Sequence, residues 1–281
     1  MLQIKPLSNT NLDQLFQAFH EAFLDYDFQW SKSQFISMLD TRGYNANLSF
    51  GAFEDDQLVA FTFNCIREYD GVKTAYDTGT GTLKGHRGQG LAETIFRHSI
   101  PFLRQNQVKC YLLEVLHSNS KAISLYEKLG FEKRREFYYF NQEKVEMAPS
   151  NLKQNVDVRR IQRFEDIDFS FCDFNPPWQN TYQSIQQKWN DLISLGAYSN
   201  DLLIGYIVFE SQSTDISQIA VSRKFRRSGV GTLLWNEAKQ LMNREGIKIV
   251  NVPTDCNSLL TFLKSKNIHP SGKQYEMIQH L

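Results

Sequence analysis

Hydrophobic and polar positions alternate along the first half of the chain with periods that predict strands and helices in turn. Strands, with period-two alternation or short apolar runs, are predicted at residues 2–7, 48–53, 58–66, 72–83, 111–116 and 136–140. Helices, with apolar residues three and four apart, are predicted at residues 12–19, 33–39, 91–103 and 120–129. Asn119 is the expected N-terminal cap of the last helix, and Gly130 its C-terminal cap.

The second half repeats this order in a shorter form. Strands are predicted at residues 156–161, 203–209, 216–221 and 247–252, and helices at 182–192, 233–242 and 259–263. A polar segment with Pro149 separates the halves. We therefore expect two domains, at residues 1–145 and 156–281, joined by a linker at 146–155.

The composition limits which classes of protein this sequence can belong to. The chain has 281 residues, of which 41% are hydrophobic, and its 31 basic residues balance 31 acidic ones. Such a chain has enough apolar area for two cores, and its neutral charge predicts neither a nucleic-acid nor a membrane partner. The four cysteines are too widely spaced for a metal knuckle or a disulfide framework, which favours thiols of a cytoplasmic protein.

A glycine-containing turn joins a strand to a helix in each half, 139 positions apart. The first turn is Arg87, Gly88, Gln89, Gly90, Leu91 and Ala92, and the second is Arg226, Arg227, Ser228, Gly229, Val230 and Gly231. The first amides of a helix have no partner within the helix, and glycines let phosphate oxygens approach them. Turns of this kind are also common as purely structural connections. Neither copy has the spacing of a Walker loop or of a dinucleotide fingerprint.

A more specific pattern follows the first turn. After the strand around Glu114, the chain reads Asn119, then Ala122, Tyr126 and Gly130-Phe131. Together with the preceding turn, this pattern resembles the GNAT superfamily of acetyl-CoA-dependent N-acetyltransferases. The resemblance covers most of residues 1–145 and, more weakly, 156–281. It implies an α/β fold of two tandem GNAT-like domains, each with a mixed, mostly antiparallel, splayed sheet flanked by helices.

The resemblance also implies roles for individual residues. The backbone of residues 87–92, and that of 226–231 in the second copy, would bind the pyrophosphate of acetyl-CoA, and Thr82 and Leu83 would pair with its pantetheine amides. Asn119 is similar to a residue that contacts the coenzyme, and Tyr126 to the general acid that protonates the departing thiolate. A purely structural role, as helix cap and core aromatic respectively, is the alternative for these two residues. No metal is implied.

A base is needed to take the proton of the attacking amine. Asp77 lies in the strand before the first turn, where some family members carry an acidic base, although it could equally cap the local turn at Thr78 and Gly79. Glu68 and Glu114 are rival candidates. The acceptor is expected between residues 23–39 and 69–76, where Phe23, Tyr26, Phe28 and Trp30 lie among Asp25 and Asp27.

The second half departs from the pattern where chemistry is expected. An ungapped alignment places Leu263 at the position of Tyr126 and Cys256 at that of Asn119, and a one-residue gap would place Phe262 there instead of Leu263. Neither leucine nor phenylalanine can protonate a thiolate. Three roles stay open for this half: coenzyme binding without turnover, turnover through another acid, or a structural role.

The resemblance thus predicts an enzyme that moves an acetyl group directly from acetyl-CoA to a primary amine of a small molecule or a protein. The first domain is expected to be catalytic. A non-catalytic acyl-CoA sensor or scaffold, and catalysis by the C-terminal domain, are the alternatives.

Overall fold

The computed structural model describes residues 2–25, 29–147, 152 and 155–281. These residues form two compact units. Unit 1 contains the chain up to Arg135 together with Tyr275–Leu281, and unit 2 contains Glu136–Gln274. The linker predicted at 146–155 stays a prediction, since most of it lies outside the described residues. The boundaries between the units fall after Arg135 and after Gln274, and each lies within a strand.

The secondary structure follows the predicted alternation of strands and helices. The strands are β1 (Gln3–Pro6), β2 (Phe50–Glu54), β3 (Gln57–Tyr69), β4 (Val72–Thr82), β5 (Cys110–Leu116), β6 (Glu132–Gln142), β7 (Asp157–Arg160), β8 (Ile193–Ser199), β9 (Leu202–Phe209), β10 (Ile216–Val221), β11 (Ile247–Pro253) and β12 (Gly272–His280). The helices are α1 (Leu12–Ala22), α2 (Lys32–Arg42), α3 (Leu91–Gln105), α4 (Ser120–Lys128), α5 (Tyr182–Gln187), α6 (Val230–Leu241) and α7 (Asn257–Lys264).

In unit 1, strands β1 to β5 lie side by side in chain order, with the end of β12 next to β5. The pairs from β1 to β4 are antiparallel, and β4 with β5 is parallel. One core cluster joins α1 and α2 to Phe61 and Phe63 of β3. Another joins α3 and α4 to β5 through Phe96 and Tyr111. Burial of these aromatic rings, together with the aliphatic side chains of the two clusters, stabilises the unit.

In unit 2, β7 to β10 form a four-stranded antiparallel meander in chain order, and β11 pairs antiparallel with β6. The core cluster of this unit includes Leu234 and Trp235 of α6, Ile207 and Phe209 of β9, and Leu263 of α7. The mixed α/β class and the splayed sheets predicted from the sequence are confirmed.

Element bounds repeat between the halves. β1 and β7 lie 154 positions apart at both ends, whereas β5 and β11 lie 137 apart. The caps repeat as well: Asn119 and Cys256 occupy the N-cap with φ/ψ of −88°/65° and −76°/71°, and the Phe131 and Ile268 amides donate to the Tyr126 and Leu263 carbonyls. The structure thus supports the ungapped alignment, which matches Leu263 with Tyr126.

Two strands and one helix differ from the pattern expected from sequence. β8 and β12 were not predicted, because β8 contains Gly196 and β12 is largely polar without clean alternation. The helix expected at 182–192 ends at Gln187, since the next residues turn tightly into β8. Across the described ranges, no helix is both long enough and apolar enough to cross a membrane.

Candidate active site

A gap opens between β4 and β5 in unit 1. The strands pair in parallel only from Thr74 to Asp77 on β4 and from Cys110 to Leu113 on β5. Beyond these residues β4 continues to Thr82 and β5 to Leu116. On the other edge of β4, the register against β3 shifts so that Thr78 is an extra, bulged residue. The gap therefore begins where the strand bends.

The first glycine turn lies at the far end of β4. Gly88 and Gly90 have φ angles of 81° and 73°, and Gly90 is the N-cap of α3 without a side-chain cap. A Cβ added at either glycine would meet nothing within 4 Å. The glycines are therefore required by the left-handed backbone and not by crowding. The space beside the two glycines is open, as the sequence prediction of a pyrophosphate at this turn requires.

Arg87 is bound to its own unit. Its guanidinium donates to the carbonyls of Thr82 at 3.2 Å and Ala22 at 2.9 Å, and to the Asp25 carboxylate at 2.8 Å. The hydrogen bond from Arg87, helped by Lys84, lowers the pKa of Asp25. These contacts fix the turn to β4 and to the end of α1. The side chain of Arg87 thus positions the turn, and the backbone amides are left to face a ligand.

The edge of β4 presents Thr82 and not Leu83 to the gap. The Leu83 amide donates to the Val59 carbonyl of β3 at 2.9 Å. Because backbone groups of successive strand residues point in opposite directions, the amide of Thr82 points away from β3. Of the two residues predicted to pair with pantetheine, the geometry favours Thr82.

The helix after the gap carries two of the predicted residues. Asn119 caps α4, since its Oδ1 accepts the Ala122 amide at 3.2 Å. The side chain of Tyr126 is 8% exposed, and its ring centroid lies 5.7 Å from that of Phe96 and 5.8 Å from that of Phe131. Each residue therefore has the structural role that the sequence allowed, in addition to the proposed chemical one.

Asp77 is buried beside the bulge. Its carboxylate accepts the Gly79 amide at 2.9 Å and the Thr80 hydroxyl at 2.8 Å. Burial raises the pKa of Asp77 to about 6, although both hydrogen bonds act in the opposite direction. The carboxyl group thus shapes the bulge, as the sequence allowed, and its pKa also suits proton exchange near neutral pH.

The rival acids are placed differently. Glu114, on β5, accepts a hydrogen bond of 3.1 Å from the Tyr76 hydroxyl on β4. Glu68 is exposed and lies opposite Lys73 in the β3–β4 register, near the hairpin end of β3. Asn64 is the register partner of Asp77 on β3, and Glu68 lies four residues further along that strand, or about 13 Å. Glu114 therefore stays a rival base by position, and Glu68 does not.

The predicted acceptor region is partly described. Tyr26, Asp27 and Phe28 lie outside the described residues. The rings of Phe23 and Trp30 pack on Phe19, with centroids 4.8 Å and 5.7 Å away. Asp25 is engaged by Arg87, an anchoring contact that sequence reasoning missed; no motif in the sequence marks it.

The second turn repeats the first one closely. Arg226 donates to the Val221 and Phe171 carbonyls at 2.9 Å and 3.2 Å, and to the Asp173 carboxylate at 2.8 Å. Gly229 is the left-handed N-cap of α6, with φ of 92°. Arg227 replaces the first glycine and keeps a positive φ of 61°. The duplicated anchor shows that both turns are built in the same way.

The family model described as Acetyltransferase (GNAT) family matches residues 12–131 and 162–259. The chain belongs to this family. It is therefore an acyltransferase by family, in a group that generally uses acetyl-CoA. The [ribosomal protein bS18]-alanine N-acetyltransferase of Escherichia coli (strain K12) is 31% identical over 148 residues, covering 49% of this chain and 88% of that enzyme.

Solved structures support the tandem arrangement. A tandem GNAT protein from the clavulanic acid biosynthesis pathway matches with a TM-score of 0.70 and 11% identity, covering 100% of this chain and 98% of that one. A Pyrococcus horikoshii protein described as an acetyltransferase matches with a TM-score of 0.69 and 17% identity, covering 100% and 89%. At these identities the likeness shows the fold alone, and that fold is the predicted pair of GNAT-like domains.

Proposed function

We propose that unit 1 transfers an acetyl group from acetyl-CoA to a primary amine. The observation that carries the proposal is the gap between β4 and β5, which has the open glycine turn at one end and the buried Asp77 at the other. Acetyl-CoA would supply the acetyl group as a thioester. The residues of the chain bind it, orient it and move protons.

The backbone around the glycine turn is the proposed binding element. Amides of residues 88–92 would hold the pyrophosphate, while the Arg87 anchor keeps the turn in place. Thr82 would pair with the pantetheine arm along the edge of β4, and Asn119 would contact it from the start of α4. Gly88 and Gly90 are exposed, which leaves this path accessible.

Tyr126 is the proposed general acid. A departing thiolate has a pKa near 8.5 and a phenol one near 10, so a positioned phenol can donate its proton at modest cost. The packing of the ring against Phe96 and Phe131 would hold it in one orientation. Precise orientation is what makes such a proton transfer efficient.

Asp77 is the proposed base for the amine proton. With a pKa raised to about 6, it is ionised at neutral pH and can accept a proton. Glu114 is the alternative base, because it too lies beside the gap, on the facing strand. The pH dependence of turnover in Asp77→Asn and in Glu114→Gln distinguishes the two candidate bases.

The acceptor is proposed to be an amine of a protein or a small molecule. The E. coli relative is named for N-acetylation of an alanine of ribosomal protein bS18. A peptide with an N-terminal alanine is therefore the first acceptor to test. The cytoplasmic location expected from the cysteine spacing stays a prediction, and all four cysteines are free thiols.

A thiol-release assay with acetyl-CoA tests this function. The panel would contain an alanine-initiated peptide, the same peptide with its N-terminus blocked, a polyamine and an amino sugar. We expect thiol release with one or more free amines and none with the blocked peptide. Binding of acetyl-CoA without thiol release for any amine would instead favour the sensor or scaffold alternative.

A further inference from the structure

Unit 2 contains a cavity of about 510 Å³ next to the second glycine turn. Strands β10 and β11 lie in different sheets and meet in a parallel bridge between Asp215 and Lys248. Beyond this bridge, residues 216–221 of β10 and 249–252 of β11 both line the cavity. A cavity of this volume is in the range that encloses a small organic ligand.

One part of the cavity wall suits an anion. Arg226, Arg227 and Gly229 line it, and α6 begins immediately afterwards at Val230. The first amides of α6 and the exposed Arg227 side chain supply positive charge at this position. A left-handed backbone is unfavourable for arginine, so the cationic side chain is present here at a cost in stability.

Two buried polar groups in the wall lack a hydrogen-bond partner among the described residues. Ser217 and Asn251 are 6% and 1% exposed, and both line the cavity. The unpartnered atoms are the Ser217 Oγ and the Asn251 Nδ2, while Oδ1 of Asn251 accepts a hydrogen bond from Gln274. A buried donor without a partner destabilises the fold, and a hydrogen bond to a ligand carbonyl would remove that cost.

The groups proposed to move protons in unit 1 have no titratable counterpart here. At the offset of 137 between β5 and β11, Leu263 matches Tyr126 and Asn251 matches Glu114. The ends of β4 and β10 lie 139 positions apart, like the two turns, and at that offset Ile216 matches Asp77. An amide and two aliphatic side chains can hold a ligand but cannot exchange its protons. These three positions thus favour binding over transfer. The Asp173 carboxylate also lines the cavity, but it accepts hydrogen bonds from Arg226 and Ser258.

Most of the remaining wall surface is apolar, and Phe174, Pro176, Pro177, Phe225 and Phe262 contribute to it. Asp173 and Gln218 also line the cavity, where they accept hydrogen bonds from Arg226 and the Tyr206 hydroxyl respectively. The apolar surface suits a hydrocarbon chain better than a cationic amine. A coenzyme A thioester combines anionic, carbonyl and hydrocarbon groups in one molecule.

We propose that unit 2 is a receptor site for a coenzyme A thioester whose apolar acyl chain is longer than acetyl, and that it binds this ligand without transferring the acyl group. The inference shares the coenzyme class of the proposed function, but it does not depend on catalysis by unit 1. The turn around Gly229 would hold the pyrophosphate, and Ser217 and Asn251 would donate to carbonyls of the ligand.

Calorimetry with hexanoyl-CoA, acetyl-CoA and free CoA tests the proposal. Gly231→Asp places a carboxylate in the first turn of α6, and Ala92→Asp is the matched change in unit 1. We expect hexanoyl-CoA binding to weaken at least tenfold in Gly231→Asp and to persist in Ala92→Asp. Loss of hexanoyl-CoA binding in Ala92→Asp alone, or tighter binding of acetyl-CoA than of hexanoyl-CoA at the Gly231-sensitive site, would overturn the proposal.

Asn251→Asp provides a second variant, in case Gly231→Asp does not fold. This change keeps the shape of the side chain and the acceptor for Gln274, but it replaces the amide donor by a carboxylate. Hexanoyl-CoA binding should fall at least tenfold, and unchanged affinity in a folded variant would contradict the proposal. Release of CoA thiol by the wild type is measured separately, so that binding without any turnover would overturn only the proposed function of unit 1.

Discussion

The guanidinium of Arg87 donates to the Asp25 carboxylate over 2.8 Å, and through its other nitrogens it also bonds two backbone carbonyls. Arg226 makes the same set of contacts in unit 2. An arginine that spans three acceptors holds the start of the glycine turn in one conformation. The turn is therefore pre-organised, and this would reduce the entropy lost on binding the proposed pyrophosphate.

Arg87→Lys tests this anchor. A lysine ammonium cannot reproduce the planar fork that reaches all three acceptors. We expect the KM for acetyl-CoA to rise about tenfold, with a smaller change in kcat, because the loss falls mainly on binding. Steady-state kinetics measure both constants. Arg97→Lys, on the exposed face of α3, is the matched control, and an equal effect there would rule out a specific role for Arg87.

Asp77→Asn tests the proposed base. Because the pKa of Asp77 is raised to about 6, wild-type turnover should increase as pH rises through that value. The variant should lose this increase of turnover with pH, and its turnover at neutral pH should be reduced by about 10²-fold. Asp56→Asn, at an exposed turn, is the control. If Glu114→Gln loses the increase of turnover with pH and Asp77→Asn retains it, the base is Glu114.

Asp77 also predicts how stability depends on pH. Its pKa is raised from 3.8 in the unfolded chain to about 6 in the fold, so between these values the folded state binds more protons. The free energy of unfolding should therefore fall as pH rises from 3.8 to about 6, by up to about 3 kcal/mol from this group. Denaturant unfolding of wild type and Asp77→Asn across this range measures the contribution. If the free energies of unfolding of the two proteins change in parallel with pH, Asp77 does not titrate in this way.

Glu276→Gln tests the contribution of a buried carboxylate, in the C-terminal residues of unit 1, to stability. Glu276 is 2% exposed and pairs with Arg134 at 3.1 Å and Arg135 at 2.6 Å. Loss of the negative charge removes the buried carboxylate that both guanidinium groups share, while Arg134 keeps its ion pair with Asp70 at 2.7 Å. Unfolding should therefore become easier by about 2 kcal/mol. Denaturant unfolding measures the change. Glu132→Gln, at an exposed position, should change it little, and equal effects would contradict the account.

Sequence patterns predicted most of the local structure and part of the site. The cap at Asn119 and the turn at Gly130 depend on neighbouring residues alone, and both were predicted. β12 was not, because its polar sequence becomes a strand only through pairing with residues distant in the chain. For the same reason the contact of Arg87 with Asp25, 62 positions apart, could not be predicted.

Turnover of Tyr126→Phe tests most directly whether unit 1 is the catalytic unit. Loss of the hydroxyl should lower kcat for thiol release by about 10²-fold and leave acetyl-CoA affinity nearly unchanged. Tyr206→Phe, the same change at a buried tyrosine of unit 2, should leave kcat close to that of the wild type. Wild-type turnover by Tyr126→Phe across the whole pH range would contradict the assignment.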